Sequence, residues 1–199
     1  MAKLRAAIAL LPDAELSNRL AAAALGVHAA SLGRLRWPRL PPHLSLQQPF
    51  AIESLSTVEH LVAPLARELG PFRLTLGALE VQAPSPGSPE AVVWVGVEAD
   101  PALVELQRQL DGELSPPKSE NGKPFVSDAY RFHVTLGFLP GSLEAGTALP
   151  SLAGTTATFP ELGVFVYDGL PRAGWQCLLY ARRSLSRAPG ATPATPIVG

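Results

Sequence analysis

The sequence predicts a mixed α and β fold of two similar lobes that face each other across a shared cleft, and three observations predict it. First, the tetrapeptide His-x-(Ser or Thr)-Leu occurs twice, as His43-Leu44-Ser45-Leu46 and as His133-Val134-Thr135-Leu136, each time in a segment that alternates like a strand. Alternate residues of a strand face opposite ways, so each motif offers an imidazole and a hydroxyl on one face with apolar residues behind. The chain has four His, and by average residue usage two such matches arise about once in a thousand chains. Second, the order strand, helix, long connection, motif strand runs from Leu4 to Phe50 and again from Ala91 to Leu139, a duplication of architecture without identity of sequence. Third, 199 residues with 47% hydrophobic content and mean hydropathy +0.18 are enough for a sizeable core, as one compact domain or two small lobes.

In chain order, Leu4 to Leu10 is an apolar strand, and Asp13 is placed to cap a helix from Ala14 to Leu25 that stops at Gly26. Leu16, Leu20, Ala23 and Ala24 form its buried stripe. The connection Val27 to Pro42 carries Arg34, Arg36 and Arg39 around Trp37, and Pro41-Pro42 hold it extended into the motif strand His43 to Phe50. A second amphipathic helix spans Thr57 to Leu69, with Val58, Leu61, Val62, Leu65 and Leu69 inward. Phe72 to Val81 alternates as a strand, and the Pro/Ser/Gly turn Ala83 to Pro89 separates the halves.

Ala91 to Val97 opens the second half as a strand, and Asp100-Pro101 start a helix to about Leu110. The connection Asp111 to Ala129, with Lys123 and Phe125, delivers the chain into the second motif strand, Tyr130 to Leu139, whose apolar face is Phe132, Val134, Leu136 and Phe138. Thr155 to Tyr167 reads as one strand and Trp175 to Arg182 as its partner. The Pro/Ala-rich residues 188–199 read as a disordered tail, leaving 1–187 as a single folded unit.

Net charge −1 and a pI near 6.4 exclude a global field for gripping long nucleic acid, so a polyanion must be held locally. The one Cys, Cys177, excludes an internal disulfide and a multi-Cys zinc site, suits a reducing cytoplasm, and reads as a small buried apolar residue. The basic, apolar start is read as the first strand, because Arg5 interrupts a run too short for a signal peptide. No stretch is long and apolar enough for a membrane span.

Two imidazoles with no acidic partner make a poor metal site, since catalytic zinc usually recruits a third protein ligand. They suit proton transfer, one ring accepting while the other donates. Ser45 and Thr135 are placed to donate to the oxygens of a group between the rings, and a phosphodiester needs that set: a base, an acid and donors for its equatorial oxygens. Arg131 shares the face of His133 and reads either as a phosphate contact or as a solvated strand-end cation. Trp37, Phe125 and Tyr130 read as base-stacking groups or as aromatics that pin the loops. His28 and His60 lack the motif and read as surface residues.

The paired His-x-(Ser/Thr)-hydrophobic motifs, ninety residues apart in a chain of this length, resemble the 2H phosphoesterase superfamily, particularly its 2′-5′ RNA ligase-like (RNA 2′,3′-cyclic phosphodiesterase) branch. The resemblance covers roughly Leu4 to Arg182. It implies a bilobal α+β fold, two antiparallel-rich sheets with flanking helices and pseudo-twofold symmetry, whose motif strands line a central cleft. It also implies metal-independent cleavage of 2′,3′-cyclic or 2′-5′ phosphodiesters, with His43 and His133 as catalytic pair and Ser45 and Thr135 as phosphate donors. The expected partner is a nucleotide or RNA with a 2′,3′-cyclic phosphate end, bound by a cytoplasmic monomer that needs no cofactor, metal or membrane. Alternatives are a non-catalytic RNA-end or nucleotide-binding module, or a superfamily member acting on 2′-5′ oligonucleotides or a small cyclic phosphate metabolite.

Overall fold

Among the described residues eight strands and three helices form in the order β1 (Arg5–Leu11), α1 (Ala14–Ala30), β2 (Leu44–Ala51), α2 (Leu55–Glu68), β3 (Phe72–Gln82), β4 (Glu90–Val97), α3 (Pro101–Glu113), β5 (His133–Pro140), β6 (Thr156–Phe159), β7 (Glu161–Tyr167) and β8 (Cys177–Ser184). These come from a computed structural model that describes residues 4–84, 89–114, 130–141, 143–144, 146–167 and 177–186. Lys123, Phe125, the connection 168–174, the side chain of Cys177 and the tail 188–199 lie outside the described residues.

The strands lie in the order β6-β3-β4-β5-β2-β1-β7-β8, every neighbouring pair antiparallel. The sheet divides into two four-stranded halves, β6-β3-β4-β5 and β2-β1-β7-β8, whose inner edges are the two motif strands. One registered pair, Leu44 opposite Val134, joins β2 to β5. The two expected sheets are therefore fused along one seam, and a pseudo-twofold relation exchanges β1 with β4, β2 with β5 and α1 with α3.

One core cluster takes in the inward faces of all three helices together with Ile8, Leu10, Leu44, Leu46, Val93, Val95 and Val134. Each fully buried Leu or Val there contributes about 1.5–3 kcal/mol relative to exposure. The helices cross-brace the seam: α1 packs on β5 and α3 on β2, while α2 packs on β7 and β8. Among the described residues the opposite sheet face carries a small buried apolar cluster, Ala7, Ala9, Leu11 and Phe165. That face is the one the motif His and hydroxyl residues share.

The helix caps follow the sequence: Asp13 accepts from the Leu16 N–H at 2.7 Å and Asp100 from the Ala102 N–H at 2.8 Å. Gly26 does not stop α1. Its missing side chain gives room to Pro150, whose Cγ lies 3.1 Å from where a Cβ would sit. The helix ends at Ala30, just before Leu32 and Gly33 take positive φ (54° and 78°) and the Gly33 N–H returns to the His28 carbonyl at 2.8 Å. α3 runs beyond Leu110 to Glu113.

Three further expectations are corrected. The turn Ala83 to Pro89 does not separate the halves, because β3 and β4, which flank it, pair with each other within one half-sheet. Thr155 to Tyr167 is not one strand. Pro160, which has no N–H for a ladder bond, divides it into β6 and β7, and these go to opposite halves, β6 beside β3 and β7 beside β1. Phe138 leaves the apolar face of β5 and Leu139 replaces it, 1% exposed. The cause is a bulge within the second motif.

Candidate active site

The motif strands place four polar side chains around the seam. Leu44 and Val134 face the helices and are fully buried. Their neighbours His43, Ser45, His133 and Thr135 therefore face the other way, all half-buried. Counting one residue outward from the Leu44–Val134 pair, His43 comes opposite Thr135 and Ser45 opposite His133. The imidazoles stand on the diagonal of this square, a placement that corresponds to about 7–8 Å between diagonal strand neighbours. That separation is wide enough for a tetrahedral group between the rings.

Both strands bulge at the same motif position. Ala9 pairs with Ser45 and Ile8 with Gln47, leaving Leu46 over; Trp94 pairs with Thr135 and Val93 with Gly137, leaving Leu136 over. A bulge adds a residue and reverses the alternation beyond it. So the Leu that closes each tetrapeptide is the bulge residue, which explains its place in the motif. The reversal sends Phe138 to the cleft side and turns Gln47 inward, where it is 1% exposed and its Nε2 donates to Asp111 Oδ1 at 2.6 Å.

The rings are oriented by the backbone. His43 Nδ1 lies 2.9 Å from the Pro41 carbonyl and His133 Nδ1 lies 2.8 Å from the Arg131 carbonyl, in each case two residues upstream. An Nδ1–H donated to a carbonyl leaves Nε2 as the atom free to take or give a proton in the cleft. Burial lowers the pKa of both rings below the usual histidine value. The carbonyl contacts oppose that shift in both, and for His43 the nearby charge of His133 adds to the lowering.

Two aromatic residues that the sequence reading passed over complete the surroundings. Trp94 of β4 stands edge-on to His133 with centroids 4.1 Å apart, and Phe165 of β7 packs against His43 at 4.6 Å. A signal existed: β4 and β7 are apolar in both phases of their alternation, as strands covered on both faces are.

The remaining candidates divide. Tyr130 comes to the seam, but its hydroxyl donates to the Ser45 carbonyl at 3.0 Å, its ring packs on Phe132, and burial raises its pKa. Arg131 is exposed, with its guanidinium 3.5 Å from the Glu80 carboxylate. Trp37 stays with α1: it stacks on His28 at 5.2 Å, and His28 Nδ1 is 3.1 Å from the Leu35 carbonyl. His28 is thus a half-buried anchor for the connection, whereas His60 is exposed as expected. Phe125 is outside the described residues. Among the described residues no three His, Cys, Asp or Glu side chains group as metal ligands, and no helix is long and apolar enough to cross a membrane.

A family model described as the 2′-5′ RNA ligase superfamily matches residues 12–169. No curated protein sequence matches significantly. Among solved structures the chain is similar to TT0787 of Thermus thermophilus, with 20% identity, a TM-score of 0.66, and coverage of 92% of this chain and 98% of that one. It is similar to LigT of E. coli in its apo form, with 19% identity, a TM-score of 0.60, and coverage of 94% and 100%. It is also similar to Usb1 of Kluyveromyces marxianus, with 13% identity, a TM-score of 0.52, and coverage of 89% and 98%. LigT has also been solved with 3′-AMP and Usb1 with uridine monophosphate. At these identities the structural likeness is one of fold.

Proposed function

The chain belongs to the 2′-5′ RNA ligase superfamily of 2H phosphoesterases, and from that premise we propose that it is a metal-independent phosphodiesterase that opens the 2′,3′-cyclic phosphate ends of nucleotides or RNA. The observation that carries the proposal is the square at the seam, with two imidazoles on one diagonal and two hydroxyls on the other, all on one sheet face. A phosphate between the rings receives hydrogen bonds from Ser45 and Thr135. Neutral His133 takes a proton from water through Nε2 as the water oxygen bonds to phosphorus. The bond to one ribose oxygen breaks in line, and His43, protonated on Nε2, gives that oxygen its proton. Ring and water become a phosphomonoester and a free hydroxyl, and the two histidines exchange protonation states. The same sequence with a 5′-hydroxyl in place of water bonds that hydroxyl to phosphorus and frees one ribose oxygen, which is ligation.

Burial favours the neutral form of both rings, which suits the base. The anionic diester itself raises the pKa of the ring beside it, which supplies the acid. Arg131 stands at the rim as a further phosphate contact, in competition with Glu80. Nucleoside monophosphates bound to LigT and Usb1 are consistent with this substrate class. The test is turnover of a 2′,3′-cyclic nucleotide in EDTA by the chain and by its His43→Ala and His133→Ala variants. Loss of at least about a thousandfold is expected from each. Tight nucleotide binding without turnover by the unaltered chain refutes the reading in favour of a binding module.

A further inference from the structure

The seam between the lobes has one registered backbone pair, yet the separation of His43 from His133 depends on it. β5 begins at His133, so beyond Ser45 the edge of β2 has no residue of β5 opposite it. The Ser45 carbonyl stands where this stretch begins, and the Tyr130 hydroxyl meets it at 3.0 Å, across 85 residues of sequence. Tyr130 is itself anchored in the second lobe. Its ring packs edge-on against Phe132 at 5.0 Å, and Phe132 is 4% exposed with its carbonyl accepting from the Val97 N–H of β4 at 2.8 Å. A side-chain oxygen therefore does the work of the missing ladder bond. The corresponding position in the first lobe, ninety residues earlier, is Leu40, which has no hydroxyl and joins the small apolar cluster.

We propose that Tyr130 is a positioning residue: its hydroxyl clasps the Ser45 carbonyl across the seam and holds the His43–Ser45 pair at its working distance from His133 and Thr135. Its catalytic consequence rests on the phosphodiesterase reading above; its geometric consequence does not. Without the clasp the seam parts, water reaches His43, and its distance from the charge of His133 grows. Both changes act in the same direction on the His43 ring.

Tyr130→Phe keeps the ring and deletes one oxygen. In the purified chain, kcat on a 2′,3′-cyclic nucleotide is expected to fall about tenfold with KM within about twofold. By NMR the titration midpoint of His43 moves up, toward that of an ordinary histidine. A His43 midpoint that does not move overturns the proposal whatever happens to turnover. A midpoint that moves in a chain that turns over no cyclic nucleotide upholds the clasp and refutes the reaction. One readout needs no variant. In the unaltered chain the Tyr130 hydroxyl proton is expected to resist exchange with water, and exchange as fast as that of a free tyrosine overturns the proposal even if Tyr130→Phe does not fold.

Discussion

Gly137→Ala tests how the connection to His43 is held. A Cβ at this position would lie 2.6 Å from the Arg36 carbonyl oxygen and 2.8 Å from Leu35 Cδ1, where ordinary contact begins near 3.4 Å. The first neighbour is backbone and cannot rotate away. Arg36 and Phe138 also exchange two backbone hydrogen bonds here, Arg36 N–H to the Phe138 carbonyl at 2.8 Å and Phe138 N–H to the Arg36 carbonyl at 2.9 Å. Overpacking of this kind costs about 1–3 kcal/mol, and each strained or lost bond adds roughly 1 kcal/mol. Gly137→Ala should therefore cost about 2–4 kcal/mol by urea titration. It should also slow cyclic-nucleotide turnover, because the displaced segment ends at His43. Gly112→Ala in α3, where a Cβ meets nothing within 4 Å, is the control and should be neutral or stabilising by up to about 1 kcal/mol. A Gly137→Ala chain as stable as the control would refute the reasoning.

Both histidines have lowered pKa values in the folded chain, so on acidification the unfolded chain takes up their protons first. Stability should be fully present above the unfolded value of 6.5 and decline as pH falls below it toward the folded values. Urea titrations from about pH 7.5 to about pH 5 measure this, and the decline should flatten in a His43→Asn, His133→Asn chain. The same lowering places the optimum of kcat/KM, which needs one ring protonated and one neutral, on the acid side of pH 6.5; an optimum above about 7 contradicts it. Thr135→Val keeps the shape of the side chain and removes the donor, so kcat/KM should fall about a hundredfold, whereas Thr135→Ser should retain most of it.

The motif tetrapeptides were legible because their chemistry is in side chains with a strand period. Two rings and two hydroxyls at alternate positions leave little freedom in where they point. The carbonyls of Pro41 and Arg131 that orient the rings were not legible, since a backbone acceptor is the same atom in every residue. Nor was the bulge. Leu46 and Leu136 read as core residues either way, and only the pairing with β1 and β4 shows that each is an extra residue. The fate of β6 and β7 was hidden for a related reason: an apolar alternating run states which face is buried but not which neighbour it pairs with, and Pro160 was the one local sign of a break. Tyr130 reads from sequence as an aromatic beside a phosphate site. Its partner, a carbonyl in the other lobe, is a fact of tertiary structure alone.

The central claim is that two histidines on adjacent strands open a cyclic phosphate without metal. The most direct measurement is phosphorus NMR of a 2′,3′-cyclic nucleotide mixed with the purified chain in EDTA. The cyclic phosphate resonance is expected to give way to that of a phosphomonoester, and to persist with the His43→Ala and His133→Ala chains. A cyclic resonance that persists with the unaltered chain, or disappears as fast with either alanine variant, contradicts the claim.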